Sequence, residues 1–226
     1  MTLNLPRPIL YLITRGETSE TTNPDGEEFR NILEQASAAV TAGIPLIQIR
    51  EKQLTSRVLS ELTSDVVAIA RGSSTRVLVN DRADIAASAG ADGVHLTTRS
   101  LSADVIRKTF GEKFLVGVST HSLAEAQSAF RQAANFAVFG PIFPSPAKVK
   151  YGPPLGLGQL NDAARELSPF PLIALGGISL ERVNECLLAG ASGIAGITLF
   201  GKPEDLAMTV ETIKDFAKVD RGRAAQ

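Results

Sequence analysis

Short apolar runs separated by longer amphipathic stretches repeat along the whole chain. Pro8–Thr14 is the first run, apolar on both faces, the mark of a strand buried on two sides, and it ends in the polar Thr14-Arg15-Gly16. Residues 17–25 are rich in Glu, Thr, Asn, Pro and Gly and read as a loop. Phe29, Ile32, Leu33 and Ala36 then recur at helical spacing until Gly43 ends the helix. Ile44–Ile49 predicts a second strand, Leu59, Leu62, Val66, Val67 and Ile69 a second helix, and Arg76–Asn80 a third strand. A short helix after Asp81 leads to a strand at Gly93–Leu96, a helix at Leu101–Phe110 and a strand at Phe114–Ser119. An alanine-rich helix over 122–134 and a strand at Phe136–Gly140 come next. Residues 141–156, with five prolines, form the longest loop. A helix over 158–167, a strand at Pro171–Gly177, a helix over 179–189, a strand at Gly193–Thr198 and a helix over 203–218 complete the chain.

Eight short apolar strands alternating with eight helices is the pattern of an α/β protein built as a single (β/α)8 TIM barrel, whose usual length is ~250 residues or somewhat less. The rival is an open doubly wound sheet, but a dinucleotide fold wants a glycine-rich turn after its first strand. Thr14-Arg15-Gly16-Glu17 supplies none. No composition shift divides residues 1–226, so one domain is expected, with the barrel over about 8–218 and a frayed tail at 219–226.

Composition narrows the functions open to such a barrel. A net charge of −1 provides no bulk field for nucleic acid or an anionic membrane. No apolar run reaches the roughly 18 residues of a membrane span, and the N-terminus lacks the layout of a signal peptide. The one cysteine, Cys186, allows no internal disulfide and reads as a small core residue in a helix. A cytoplasmic protein is expected, and no exposed apolar stripe stands out to specify an oligomer.

The most informative departure from apolarity is Gln48-Ile49-Arg50-Glu51-Lys52. Spacing of two places Gln48, Arg50 and Lys52 on one face at the end of the second strand. Two cations are costly in a core, so that face must open onto solvent or an anion. In a barrel the chemistry sits at the C-terminal strand ends. There the sequence also puts Asn80, Asp81 and Arg82, then His95, Ser119, His121, the Ser145-Pro146-Ala147-Lys148 loop, Gly176-Gly177 and Gly196-Ile197-Thr198. The predicted N-terminal ends offer little of this kind. Gly176, Gly177 and Gly196, with a short helix N-terminus after the eighth strand, suit a phosphate cradle; a tight turn with no ligand is the other reading. Arg50, Lys52 and Lys148 are too many cations for one monophosphate and suggest a second anion such as a diphosphate. Asp81 is either a hard-oxygen ligand for Mg²⁺ or the cap of the helix that follows it. His95 reads as structural, orienting its neighbours in the mouth.

Several ordered segments resemble the thiamine phosphate synthase family and its relatives the thiazole tautomerases. They are Gln48–Lys52, Asn80-Asp81-Arg82, Ala91–Leu96, Gly117–Ser122, Phe139–Ser145 with Lys148, and Ala174–Ile178, spread over about residues 9 to 200. The resemblance implies a synthase that joins hydroxymethylpyrimidine diphosphate to thiazole phosphate with release of diphosphate. On that reading Arg50, Lys52, Asn80 and Lys148 hold the diphosphate, Asp81 binds Mg²⁺, and Gln48 and Ser119 contact the pyrimidine. Ser145 is also placed at the substrate, while Gly176, Gly177, Gly196 and Thr198 receive the thiazole phosphate.

The chain departs from the synthase pattern in places. Thr97-Thr98-Arg99-Ser100 stands where the family carries Gly-Gln followed by a second metal carboxylate, so Ser100 replaces that acid. Ser145-Pro146-Ala147-Lys148 replaces Thr-x-Thr-Lys and loses a hydroxyl. A thiazole tautomerase would tolerate these losses, using His121 as base. A barrel that binds a phosphorylated ligand without catalysis is a further alternative. The full set of diphosphate-binding residues favours the synthase.

Overall fold

The computed structural model describes residues 3–144 and 153–223. Its strands are β1 (Ile9–Ile13), β2 (Leu46–Ile49), β3 (Arg76–Asn80), β4 (Gly93–Leu96), β5 (Leu115–Thr120), β6 (Phe136–Phe139), β7 (Leu172–Leu175) and β8 (Gly193–Gly196). All pair in parallel with their sequence neighbours, and β8 returns to β1 to close the barrel. The helices are α1 (Glu27–Thr41), α2 (Ser56–Ala70), α3 (Ala83–Ser88), α4 (Ala103–Phe110), α5 (Leu123–Arg131), α6 (Gly156–Leu167), α7 (Val183–Leu188) and α8 (Leu206–Arg223). The (β/α)8 expectation holds. The expected break at Lys218 does not match, since α8 continues to Arg223.

Strand side chains alternate between two separate cores, as the period of two requires. Leu10, Leu12, Ile47, Ile49, Val77, Val79 and Val94 pack outward on helix residues such as Phe29, Ile32, Leu62 and Val66. Ile9, Tyr11, Ile13, Leu46, Leu78, Phe136, Val138, Ile173 and Ala195 form a second cluster built from strands alone, which fills the barrel interior. Parity with Leu46 and Leu78 turns Gln48 and Asn80 inward at the C-terminal end.

The N-terminal rim carries more polar side chains than expected, spent on backbone groups and on one another. Asp92 Oδ2 accepts from Val77 N at 2.8 Å, and Asn135 Oδ1 accepts from Val116 N at 2.8 Å. The buried Arg107 donates to the Gly111, Glu112, Phe114 and Ala133 carbonyls and to Asn135. These bonds satisfy strand ends and loops that would otherwise be buried unpaired. They leave the opposite rim as the place for chemistry.

Candidate active site

At the C-terminal end of β2 the chain separates its charges. Arg50 is half-buried and Lys52 exposed, and neither forms an ion pair with a described residue. Glu51, between them, is buried. Its Oε1 accepts from Gly16 N at 3.0 Å, and its Oε2 accepts from Thr18 N at 3.4 Å and Thr18 Oγ1 at 2.8 Å. The only carboxylate in this segment is therefore consumed by the β1–α1 loop. That loop lies tightly on Arg50: Gly16 has φ +76°, and a Cβ there would stand 3.1 Å from Arg50 O and 3.2 Å from an Arg50 guanidinium nitrogen. Thr14 Oγ1 accepts from Arg50 N at 2.8 Å and fixes the strand end from the β1 side.

Inside the mouth, Gln48 Nε2 donates to Asn80 Oδ1 at 3.1 Å, which leaves the Asn80 amide NH₂ to donate elsewhere. Gln48 Oε1 is buried with no hydrogen-bond partner. Asp81 follows with φ 59°, a left-handed backbone that Asp and Asn tolerate better than most residues, and its N–H donates to His95 O at 2.9 Å. The capping reading of Asp81 fails, because the N-cap of α3 is Arg82, with no side-chain cap bond. The Asp81 carboxylate is exposed, its near cation is Arg82, and Arg82 itself is held by Asp84 at 2.6 Å.

Towards the barrel axis lie three linked side chains. Tyr11 Oη is 3.2 Å from His95 Nδ1, and His95 Nε2 is 2.9 Å from Ser119 Oγ. Tyr11, His95 and Phe136 pack ring against ring, with Tyr11 and Phe136 edge to face at 5.6 Å. Gly117 makes the room: a Cβ there would come within 2.4 Å of Phe136 and 2.9 Å of His95 Nδ1. Burial first, and the charge of Arg50 second, push the His95 pKa down to about 3, so the imidazole is neutral. Burial also raises the Tyr11 phenol. The orienting role expected of His95 agrees with this geometry. Tyr11, Glu51 and Gly117 were not singled out by sequence. Their only signals were parity with His95, a charge out of phase with Arg50 and Lys52, and a glycine inside a strand.

His121 is exposed at the end of β5, and its Nδ1–H donates to Gly140 O at 2.5 Å. The run that contains it has a local explanation. Ser122 Oγ accepts from Glu125 N at 3.2 Å and Glu125 Oε2 accepts from His121 N at 2.6 Å, a variant of the capping box that starts α5.

Gly176 and Gly177 have φ 101° and 64°. The segment after β6 packs onto them, with Ile142 N donating to Leu175 O at 2.9 Å and Phe143 N to Gly176 O at 3.0 Å. A Cβ on Gly177 would lie 2.6 Å from Pro144 O, and one on Gly176 2.7 Å from Pro141 Cβ. Close packing of a turn thus accounts for both glycines. No helix starts directly after β8: a turn closed by Gly201 N to Thr198 O at 3.1 Å precedes a 3-10 turn at Pro203–Asp205. Gly196 is buried under Leu199 and Phe200, and Thr198 is exposed. Ser145 and Lys148 lie outside the described residues. Cys186 is buried in α7, which pushes its thiol up to about 12 and suits a core residue.

Among the described residues no group of three His, Cys, Asp or Glu could hold a metal. Ser100, in place of a second acid, faces its own loop, its Oγ accepting from Thr97 N at 2.7 Å. The donor set near Asp81 therefore suits a Mg²⁺ that takes most of its oxygens from a phosphorylated ligand and water, not a resident cage. No helix of the described residues is long and apolar enough to cross a membrane.

A family model described as thiamine monophosphate synthase matches residues 10–200. A thiamine-phosphate synthase of Chlorobium luteolum is 36% identical over 224 residues, covering 97% of this chain and 100% of that protein. One of Anaeromyxobacter dehalogenans is 40% identical over 195 residues, covering 85% of each. Among solved structures, a thiamine phosphate pyrophosphorylase from Pyrococcus furiosus superposes with a TM-score of 0.76 at 27% identity, covering 93% of this chain and 96% of that one.

Proposed function

The chain belongs to the thiamine monophosphate synthase family, and from that premise we propose how its barrel mouth carries out the family's coupling. The enzyme is a transferase that makes thiamine phosphate. In the coupling, the bond between the pyrimidine's methylene carbon and the diphosphate oxygen breaks, and the electron pair leaves with diphosphate. The lone pair of the thiazole nitrogen then forms the new C–N bond.

The observation that carries the assignment of roles is that the β1–α1 loop engages the Glu51 carboxylate, which forms no ion pair with Arg50 or Lys52. With the segment's carboxylate bonded to the loop, Arg50 and Lys52 are left without a described counter-ion. They would bind the diphosphate and neutralise the charge that grows on it as it leaves, where fixed charges in a partly desolvated site act most strongly. The Asn80 amide, its oxygen held by Gln48, would add a donor, and Lys148 would add a third cation. Gln48 and Ser119 would contact the pyrimidine. An unsatisfied acceptor such as Gln48 Oε1 costs about 1–3 kcal/mol, which a donor on the ligand would relieve. Backbone N–H groups at Gly176, Gly177 and Gly196, with Thr198, would receive the thiazole phosphate.

Asp81 would hold Mg²⁺ together with phosphate oxygens, and the ion would supply further charge neutralisation at the leaving group. The absence of an acid at Ser100 makes this hold weaker than a two-carboxylate site. The proposed compartment is the cytoplasm, in keeping with a single buried cysteine and small phosphorylated substrates.

The test is turnover of hydroxymethylpyrimidine diphosphate and thiazole phosphate with Mg²⁺, read as thiamine phosphate formed, in the wild type and in Asp81→Asn. Asparagine keeps the tolerance for a left-handed backbone while removing the charge. Product from the wild type, with a raised Mg²⁺ requirement in the variant, is expected. Folded protein that binds thiazole phosphate in calorimetry but makes no thiamine phosphate would sink the reading.

A further inference from the structure

The chain of Tyr11, His95 and Ser119 has a direction, and the direction decides what Ser119 can offer a ligand. Tyr11 is fully buried at the barrel axis, and His95 Nδ1 is its hydroxyl's partner among the described residues. A phenol O–H buried there must donate to that nitrogen or go without an acceptor, which is expensive. If Tyr11 donates to Nδ1, the proton of the neutral imidazole sits on Nε2. Nε2–H then donates to Ser119 Oγ, and the serine's own O–H is free to point away from the ring. Ser119 is only half-buried at the C-terminal end of β5, so its hydroxyl is open to a ligand at the mouth. The reverse polarity would spend the serine O–H on Nε2, leave the Tyr11 O–H without an acceptor, and show an anionic substrate only oxygen lone pairs.

We propose that Tyr11 is a positioning residue that, through His95, holds Ser119 as a hydrogen-bond donor to the pyrimidine diphosphate. This rests on the synthase reading above. Ser119 would be neither nucleophile nor base, because the nitrogen facing it carries a proton. Tyr11 touches no substrate and acts only by setting the tautomer. Gly117 belongs to the same device, since a larger residue would push the ring off this line.

The experiment has two arms. In the first, the full chain is labelled with ¹⁵N-histidine and its long-range ¹H–¹⁵N spectrum recorded at neutral pH. The chain has only two histidines, so His121→Gln assigns both. His95 is expected to carry its proton on Nε2, and His121, bonded through Nδ1 to a carbonyl, on Nδ1. A proton on His95 Nδ1 overturns the proposal even if no variant folds. In the second arm, kcat and KM are measured for Tyr11→Phe, Ser119→Ala and the double variant. Tyr11→Phe should lower kcat about tenfold with little change in KM, and Ser119→Ala about tenfold to a hundredfold. The double variant should be no slower than Ser119→Ala alone, since Tyr11 acts through that hydroxyl. Losses that multiply would assign Tyr11 a packing role and end the proposal. A wild type inactive in coupling would count against the synthase reading, while the spectrum would still report the polarity of the chain.

Discussion

Acid should weaken this fold in a way traceable to one imidazole. His95 is buried beside Tyr11 and Phe136, and its pKa is pushed down to about 3 by burial and then by Arg50. In the unfolded chain the same ring returns to about 6.5. Between those values the unfolded state binds a proton that the folded state refuses. Stability is therefore complete above about pH 6.5 and falls as pH drops towards 3. At pH 5, roughly 1.5 units below the unfolded value, the loss is ~2 kcal/mol at ~1.36 kcal/mol per unit. That is a large part of the ~5–15 kcal/mol that holds a typical domain together. The assay is urea unfolding at about pH 7.5 and about pH 5 for the wild type and for His95→Gln. Carboxylates contribute to both proteins, so the difference between their two losses isolates the ring. The wild type should lose ~2 kcal/mol more than the variant. Equal losses would mean that His95 charges as readily folded as unfolded, and the reasoning about its neutrality would be wrong.

Two further variants probe how the mouth is built. Glu51→Gln keeps the shape of the side chain but can accept on one side only, so it loses at least one charge-assisted bond to the loop at Gly16 or Thr18. A loss of ~2 kcal/mol in urea unfolding is expected, with KM for the pyrimidine diphosphate rising more than KM for thiazole phosphate because the loop no longer holds Arg50; unchanged stability would show that Glu51 is not a clamp. Gly177→Ala forces a side chain onto φ 64° and to within 2.6 Å of Pro144 O, so a loss of about 2 kcal/mol or more and weaker thiazole phosphate binding by calorimetry are expected. Wild-type stability in that variant would show that the turn has room to spare.

The barrel was legible because its signals are local. A strand buried on both faces needs an apolar run, and a helix packed on one side needs apolar residues at its own period, each within a few neighbouring residues. The eight strands were therefore readable from one end of the chain to the other. The same parity put Gln48, Arg50 and Lys52 on one face in the sequence, and in the fold Ile47 and Ile49, out of phase with them, pack against the helices. Chain ends and turns were read less well, as the continuation of α8 to Arg223 shows.

The functions of individual polar residues depended on partners that composition and spacing do not reveal. His-Ser-Leu-x-Glu-Ala read as a setting for a catalytic base, and much of it is a helix cap. Asp81 read equally as cap or metal ligand until the cap of α3 fell to Arg82. Gly176-Gly177 read as a phosphate cradle, while the loop packed onto them already requires both glycines. Tyr11 and His95 are 84 positions apart, on β1 and β4, and His95 and Ser119 are 24 apart. Closure of the barrel brings them into one line at the axis, and no local pattern encodes that meeting. Hydrophobic period is a property of neighbours in the chain and survives in the sequence alone. Protonation state, hydrogen-bond direction and the freedom of a cation are properties of neighbours in space, set when the strands close around them.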